Sequence, residues 1–286
     1  MATTASRSQR RTEQLARVFL RLHDASERRF ARAVARFFRE QGQRLIAALA
    51  GVGRVQPHDI DAALDWHGAE HRRFIREVAR PNLFAIGAAG ATLALQIARV
   101  GKSHRPTAAK AFDDDDVEGE LPEGVRAAVR STVEETLRQH YWLRIQDDTR
   151  EVIHNAIDNA FDNQFIDERR LGKLITTATG GEIAKHRAKR MARTETTGAA
   201  NGGQSAVIDE LAREGLVAGK TWLAINDNDT RESHRLLNGK SVKAGKNFHV
   251  GETGAAAPYP GHFSLPAEER INCRCTIIGS GVGEGA

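Results

Sequence analysis

The residues best suited to chemistry in this sequence are two cysteines separated by one arginine, in the run INCRC at 271–275. Cys273 and Cys275 are the 2 cysteines of the 286-residue chain. A disulfide between residues spaced so closely would close a small, strained ring, so the spacing argues against one. The residues alone leave four interpretations open: metal ligands, a redox pair, a nucleophile with a neighbour, or a buried strand end.

A metal site would use both thiols together. Residues i and i+2 of a strand share one face, so Cys273 and Cys275 are expected to project the same way. If the fold brings His234 close, the three side chains offer ligands that suit Zn²⁺. A structural zinc site needs a fourth ligand, for which His249 and His262 are the candidates.

A packing role for the thiols is the interpretation that we prefer. Free cysteine packs readily as a small hydrophobic group. Arg274, on the opposite face, would then pair with an acid such as Asp227 or Asp229. We therefore expect no cofactor, and zinc remains the alternative.

An enzyme hypothesis uses some of the same residues. Cys273 as nucleophile, His234 as base and Asp227 as the group that orients the base would form a Cys–His–Asp arrangement. Nothing in their spacing requires the three to meet, and no oxyanion donor can be identified from the sequence. We therefore expect the protein not to be an enzyme.

A long amphipathic helix is predicted far upstream of these residues. Apolar residues spaced by three or four run from Leu15 to Leu49, with arginines mostly on the other side. Residues 1–56 carry twelve arginines, no lysine and four acids, so the basic excess of the chain lies here. Such a surface favours a polyanion or an acidic protein as partner, and the alternative is a solvated helix face without a partner. The arginines expected to make this contact are Arg28, Arg29, Arg32, Arg36 and Arg39.

Three further predictions concern the helices that follow. A second helix is expected over 59–78, stopping before Pro81, because proline disrupts a helix interior. The apolar segment 83–99 is expected to be a buried helix, since its apolar run is short of the roughly 20 residues that span a membrane. Two helices are expected within 123–170, with a break near Asp147–Asp148.

The C-terminal third has a different pattern, rich in turns. The Gly-rich run GAANGG at 198–203 indicates a loop or a helix interruption, followed by a helix over 205–216. A short helix is expected near 230, capped by Asp229 or Thr230 and closed at Gly239. The predicted short strands lie near 220–225, 241–250 and 273–278, and the middle range is expected to form a hairpin or two strands.

The fold class that follows is mainly α, with long amphipathic N-terminal helices and a small α+β C-terminal domain. The predicted organisation is a disordered basic tail at 1–12, a helical region at 13–110, an acidic linker at 111–122, a helical region at 123–180, the α+β domain at 181–278 and a flexible tail at 279–286.

Four motifs of the C-terminal third resemble, in this order, the phage head morphogenesis domain of the Mu F-like minor head protein family. The resemblance covers about residues 181–278. The motifs are ARTETTGAANGG (192–203), GKTWLAINDNDTRESHRLLNGK (219–240), NFHVG (247–251) and LPAEERINCRC (265–275).

The resemblance implies a structural minor capsid protein of a tailed phage. Such a protein is expected at the portal or the capsid interior, acting in head assembly, DNA packaging or DNA delivery. Its partners would be the portal protein, the major capsid protein or both, and packaged double-stranded DNA, with no membrane and no small-molecule substrate. The expected location is the virion, and the host cytoplasm during assembly. Two alternatives remain: a DNA-binding accessory protein of the packaged genome, and a Cys/His-dependent or toxin-like enzyme.

The motif residues are expected to serve the fold and its contacts. An Arg193–Glu195 contact near a helix end is one example. Members of the family with a cysteine-rich version carry further cysteines and a histidine where this chain has Arg231, His234 and Arg270. The defining residues of the motif are Arg193, Glu195, Trp222, Asp227, Thr230, Arg231, His234, Gly239, Asn272, Cys273, Arg274 and Cys275.

Overall fold

The computed structural model describes residues 7–52, 55–100, 121–158, 168–251 and 254–281. The predicted fold class is confirmed: most of the described chain is helical, and short antiparallel strands lie near its C-terminal end. The helices are α1 (Arg7–Leu49), α2 (Pro57–Ala63), α3 (His71–Phe74), α4 (Arg80–Val100), α5 (Glu123–Leu137), α6 (Tyr141–Asp158), α7 (Glu168–Gly180), α8 (Glu182–Arg213), α9 (Glu232–Arg235) and α10 (Ala267–Arg270). The strands are β1 (Gly219–Leu223), β2 (Ser241–Lys243), β3 (Phe248–Val250), β4 (Ala255–Ala257) and β5 (Thr276–Ser280).

The long N-terminal helix forms as predicted and begins earlier than expected. Helix α1 starts at Arg7, so the predicted tail at 1–12 is helical from that residue on, while residues 1–6 lie outside the described ranges. Its apolar stripe, from Leu15 to Leu49, is largely buried. The periodicity of the stripe therefore identified both the helix and its inner face.

The expected break at Pro81 is wrong, because the helix runs through that residue. The chain breaks instead at Asp65, whose carboxylate accepts hydrogen bonds from the N–H groups of Gly68 (2.9 Å) and Ala69 (2.8 Å). A π-helical turn at Trp66–Glu70 follows, and a second one, Ile75–Ala79, directly precedes α4. Such turns shift the hydrogen-bond register, which accommodates a proline that has no N–H.

This apolar helix meets α8 through small residues. Among the described residues one helix, Trp66–Ala98, could cross a membrane by length and composition alone, and 44% of its apolar window is buried in the fold. A Cβ atom added at Gly90 would lie 2.1 Å from the carbonyl oxygen of Ala200, and one added at Gly203 would lie 1.8 Å from that of Gly87. The two helices therefore touch backbone to backbone.

The predicted interruption at GAANGG is also wrong. Residues 198–203 lie inside the continuous helix α8, which runs from Glu182 to Arg213. The glycines serve the close approach to α4, and the tertiary contact outweighs their low helix propensity. The predicted break at Asp147–Asp148 fails as well, since both residues lie within α6 and the chain turns at 138–140 instead.

The described chain forms two compact units. One consists of residues 28–81 and 137–192, and its described elements are all helices; its core includes Leu45, Ile60 and Ile175. The other consists of residues 1–27, 82–136 and 193–286 and contains all the described strands. Residues 101–120, which include most of the predicted acidic linker, lie outside the described ranges.

The sheet of the second unit has the order β2–β1–β5, with all neighbours antiparallel. Of the two alternatives for 241–250, two short strands form and the hairpin does not: β2 pairs with β1, while β3 pairs with β4. A turn with Gly245 at φ 72° separates β2 from β3, and the left-handed conformation suits glycine. Strand β5 continues to Ser280, two residues into the predicted tail.

Candidate functional site

Trp222 lies at the centre of the sheet and of its core. It sits on the middle strand β1 opposite Ile277 of β5, and it is fully buried. Its ring packs edge-on against His234 and Phe248, with centroids 5.3 Å away in both cases. Trp222 is therefore a core residue of this domain.

The segment after β1 is a turn held by side chains. The hydroxyl of Thr230 donates to Oδ1 of Asp227 at 2.7 Å and accepts from the Asp227 N–H at 3.2 Å. This closed pair leaves Arg231 as the N-terminal cap residue of α9, without a side-chain cap bond. The prediction that Asp229 or Thr230 would cap the helix is therefore wrong.

Helix α9 is a single turn that places His234 beneath Trp222. The segment closes at Gly239, where φ is 81° and the N–H donates to the Trp222 carbonyl at 2.8 Å. A residue with a Cβ is strained at this φ, so the glycine lets the chain return directly to the sheet. The helix itself ends earlier than predicted, at Arg235, and Gly239 closes the turn that follows it.

The INCRC run is shaped by Asn272. This residue has φ 60°, a left-handed conformation that asparagine tolerates better than most residues. Its N–H donates to Oγ1 of Thr194 at 3.1 Å. Arg274 then forms an ion pair with Asp227, one of the two acids expected from the sequence.

Cys273 and Cys275 project to one side, as predicted, although both lie just before β5. Nδ1 of His234 is 3.6 Å from the sulfur of Cys273 and 3.5 Å from that of Cys275. The three side chains are 1–3% exposed. The other ring nitrogen of His234, Nε2, lies 3.1 Å from a carboxylate oxygen of Glu269, which also accepts a hydrogen bond from Ser233 at 2.8 Å.

The two thiols influence each other's ionisation. A hydrogen bond from Cys275 lowers the pKa of Cys273 well below its ordinary value. Donating that bond, together with burial, raises the pKa of Cys275. The pKa values of the two thiols are therefore displaced in opposite directions.

Three candidate members of the cluster are absent from it. His249 lies on the exposed side of β3, and Nδ1 of His262 is 2.8 Å from the Ser264 hydroxyl, so neither candidate for the fourth ligand joins the described group. Asp227 is paired with Arg274 and Thr230, so the Cys–His–Asp arrangement of the enzyme hypothesis does not form. Glu269 takes the place beside the histidine.

Helix α8 supports the site with a row of polar side chains. Thr197 donates to the Cys273 carbonyl. Asn201 donates to the Cys275 carbonyl at 2.9 Å and to that of Pro260 at 3.1 Å. It also accepts from the N–H of Ile277 at 3.3 Å. These α8 side chains therefore satisfy backbone groups of the cysteine segment, which lies before the first paired residue of β5.

Arg193 and Glu195 do not pair with each other, contrary to the prediction. Arg193 donates to Glu27 at 3.1 Å, and both carboxylate oxygens of Glu195 are 2.7 Å from Arg270. Burial raises the pKa of Glu195, and the charge of Arg270 opposes that rise. The two residues lie two apart in α8, so their side chains point in different directions.

Sequence reasoning missed Glu269, Thr197 and Asn201. Glu269 stands in an ordinary acidic run, and no local signal marks it as a partner of His234. The α8 residues had a usable signal: Thr194, Thr197, Asn201 and Gln204 recur at spacings of three and four. That period indicates one face of a helix, but the glycines between them suggested a loop.

The arginines expected to touch a partner lie on α1, apart from this cluster in the sequence. Arg28, Arg32, Arg36 and Arg39 are exposed. Arg29 is half-buried and has contacts within the fold. Their role in binding stays a prediction.

Comparison with known proteins matches the part of the chain that contains this cluster to a protein family. The family described as Phage Mu protein F like protein matches residues 132–278, just over half of the chain. Two relatives are the minor head protein GP7 of Bacillus phage SPP1, 33% identical over 99 residues, and the NAD(+)–arginine ADP-ribosyltransferase EFV of Enterococcus faecalis, 32% identical over 127 residues.

The matched stretches cover 34% and 44% of this chain, but only 30% of GP7 and 25% of EFV. No solved structure matches. The family match contains the whole of the His234, Cys273 and Cys275 cluster and agrees with the motifs found in the sequence. The chain belongs to the Phage Mu protein F like family of phage head proteins.

Proposed function

We propose that this protein acts as a scaffold in the assembly of a tailed-phage head, bound to the portal or the inner capsid wall. The observation that carries the proposal is that four central residues of the family motif are buried inside the fold. Trp222, His234, Cys273 and Cys275 are each 0–3% exposed. Residues buried to this degree stabilise a domain and have almost no contact with solvent from which a substrate could arrive.

Contact with partners then falls to exposed parts of the chain. The arginine row on α1, defined as Arg28, Arg32, Arg36 and Arg39, is exposed and carries charge suited to an acidic protein or to DNA phosphates. In a virion component, such a row would either dock on an acidic capsid or portal surface or neutralise packaged DNA. Docking on protein is the role that we propose, and DNA contact is the second candidate.

Co-sedimentation with recombinant portal protein tests the docking proposal. The full chain should sediment with portal assemblies, and the variant Arg28→Gln/Arg32→Gln/Arg36→Gln should do so at least about tenfold more weakly, since each exposed interfacial charge pair contributes modestly. Glutamine preserves helix propensity. The matched control, Lys240→Gln/Lys243→Gln/Lys246→Gln, removes the same charge from exposed residues outside the row. Loss in both variants, or in neither, would reject the row as the docking surface.

A DNA role gives a different signature. The observed affinity for duplex DNA should fall with salt, and the slope should decrease by about 0.9 for each arginine that contacts a phosphate. The triple variant would therefore lower the slope by about three if all three arginines touch the backbone. An unchanged slope would exclude phosphate contact by these arginines.

Catalysis is not part of the proposal. EFV is named an ADP-ribosyltransferase, but the matched stretch is a quarter of that protein, so its activity is not carried to this chain. We expect the purified chain to release no nicotinamide from NAD⁺ in the presence of arginine. Turnover that is lost in Cys273→Ser while the variant keeps its fold would instead favour the enzyme alternative.

A further inference from the structure

We propose that His234, Cys273 and Cys275 form a binding site for one Zn²⁺ ion that fastens helix α9 to the start of strand β5. This inference does not depend on the proposed assembly role. It starts from the geometry of three buried side chains whose potential ligand atoms all lie within 4.8 Å of one another.

The separations fit a tetrahedral zinc ion. With Zn–S bonds of about 2.3 Å and a Zn–N bond of about 2.0 Å, tetrahedral angles place each sulfur about 3.5 Å from the nitrogen. The observed distances from His234 Nδ1 are 3.6 Å to the Cys273 sulfur and 3.5 Å to the Cys275 sulfur. The cluster therefore needs little rearrangement to take the ion.

The surroundings of His234 prepare it as a ligand. The carboxylate of Glu269 lies 3.1 Å from Nε2, which favours the tautomer with the proton on that nitrogen. The lone pair of Nδ1 then faces the two sulfurs. A carboxylate on the far side of a coordinating histidine is the usual arrangement in zinc sites, and the Ser233 hydroxyl holds this carboxylate in turn.

The charges of the site would balance once the ion is bound. Two thiolates and a neutral imidazole carry a charge of about −2, which one Zn²⁺ neutralises in a buried place where an uncompensated charge is costly. Binding displaces the remaining thiol protons to solvent. Packing of small hydrophobic groups, the role expected from the sequence, does not account for a buried imidazole with one nitrogen towards both sulfurs and the other towards a carboxylate.

Three protein ligands leave the fourth position to a water molecule. Because the ligands are 1–3% exposed, the ion would enter as the domain folds or during local opening. Metal-free protein should consequently have a lower Tm than the loaded protein. The ion would link the D-N-D-T-R-E-S-H segment to INCRC, two motifs that are distant in the sequence.

The test uses the full chain, purified under reducing conditions without a polyhistidine tag. We expect about one zinc per chain after equilibration with zinc and desalting. Co²⁺ substitution should give intense visible bands of a tetrahedral site and near-ultraviolet thiolate-to-cobalt absorption. Less than about a tenth of an equivalent of zinc, together with no cobalt spectrum in reduced wild-type protein, would overturn the proposal.

Variants assign the ligands. Cys273→Ser, Cys275→Ser and His234→Gln should each lose the thiolate or tetrahedral cobalt signature of wild type and weaken zinc binding by at least about tenfold. Glu269→Gln, which changes only the orienting group, should weaken it by about 10- to 100-fold. The control Arg274→Gln lies between the two cysteines but points to Asp227, so it should keep the metal. Full zinc retention in either cysteine variant would overturn the assignment.

Discussion

At the scale of single residues, the site depends on side chains that form hydrogen bonds with buried backbone groups. Asn201 is the clearest case, because one amide group serves the carbonyls of Pro260 and Cys275 and the N–H of Ile277. Sheet pairing begins only at Thr276, so the cysteine segment has no strand to do this. The polar row on α8 takes over the part that a neighbouring strand plays elsewhere in the sheet.

Replacing Asn201 with alanine should therefore destabilise the protein by at least about 2 kcal/mol, since several buried backbone groups lose their partner at once. Urea unfolding followed by circular dichroism measures the change. The matched control is Asn228→Ala, at an exposed position, which should stay within about 0.5 kcal/mol of wild type. Equal, small effects of the two substitutions would refute the supporting role.

His262 should make stability depend on pH. Burial, and next the charges of Arg270 and Lys220, lower its pKa from 6.5 to about 4. Its folded pKa lies below the unfolded one, so the unfolded chain binds more protons between these values and stability falls as pH drops from about 6.5 towards 4. The variant His262→Gln should lose less stability than wild type between pH 7 and pH 5. Parallel losses measured by urea midpoints would exclude this histidine as the cause.

At the scale of elements, the close crossing of α4 and α8 positions the polar row. Ala200, Gly203 and their partners on α4 leave no room for larger side chains. The position of α8 fixes where Thr197 and Asn201 meet the cysteine segment. Small residues at the crossing are thus linked to the geometry of a site that they do not touch.

The substitution Gly203→Ala should destabilise the protein by about 1–3 kcal/mol or more, because the new methyl group would collide with the Gly87 carbonyl and the helices cannot separate cheaply. Gly172→Ala provides the control. It lies in helix α7 with nothing within 4 Å of the added methyl group, so it should stabilise by about 0.5–1 kcal/mol. Thermal unfolding of both variants measures the change in stability. Destabilisation by Gly203→Ala alone supports the close crossing of α4 and α8.

The elements also show which predictions a sequence can support. The apolar stripe of α1 predicted a real helix and its buried face, and the strand expected near 220–225 forms as β1, which is buried on both faces. The helix breaks predicted at GAANGG and before Pro81 are wrong. The effect of these residues on a helix depends on a neighbouring helix or on a preceding π-helical turn. The pairing of Cys273 with His234 was foreseen as a possibility, whereas Glu269 depends on tertiary placement that carries no local signal.

At the scale of the whole molecule, membership of a phage head protein family implies a virion component. The buried cluster and the exposed arginine row belong to different compact units. One holds the buried cluster and the family motifs, and the other holds the exposed arginine row on α1. In our account the cluster maintains a fold and the arginine row meets a partner.

The central claim is that this protein works as a structural part of the assembled head. The most direct measurement is co-expression with the portal and major capsid proteins of the same genome, followed by purification of heads and quantitative mass spectrometry. We expect the chain in purified heads, in fewer copies than the capsid protein, and a lower occupancy for the Arg28→Gln/Arg32→Gln/Arg36→Gln variant than for the matched lysine variant. Heads that form and purify without the chain at several salt concentrations would contradict the account.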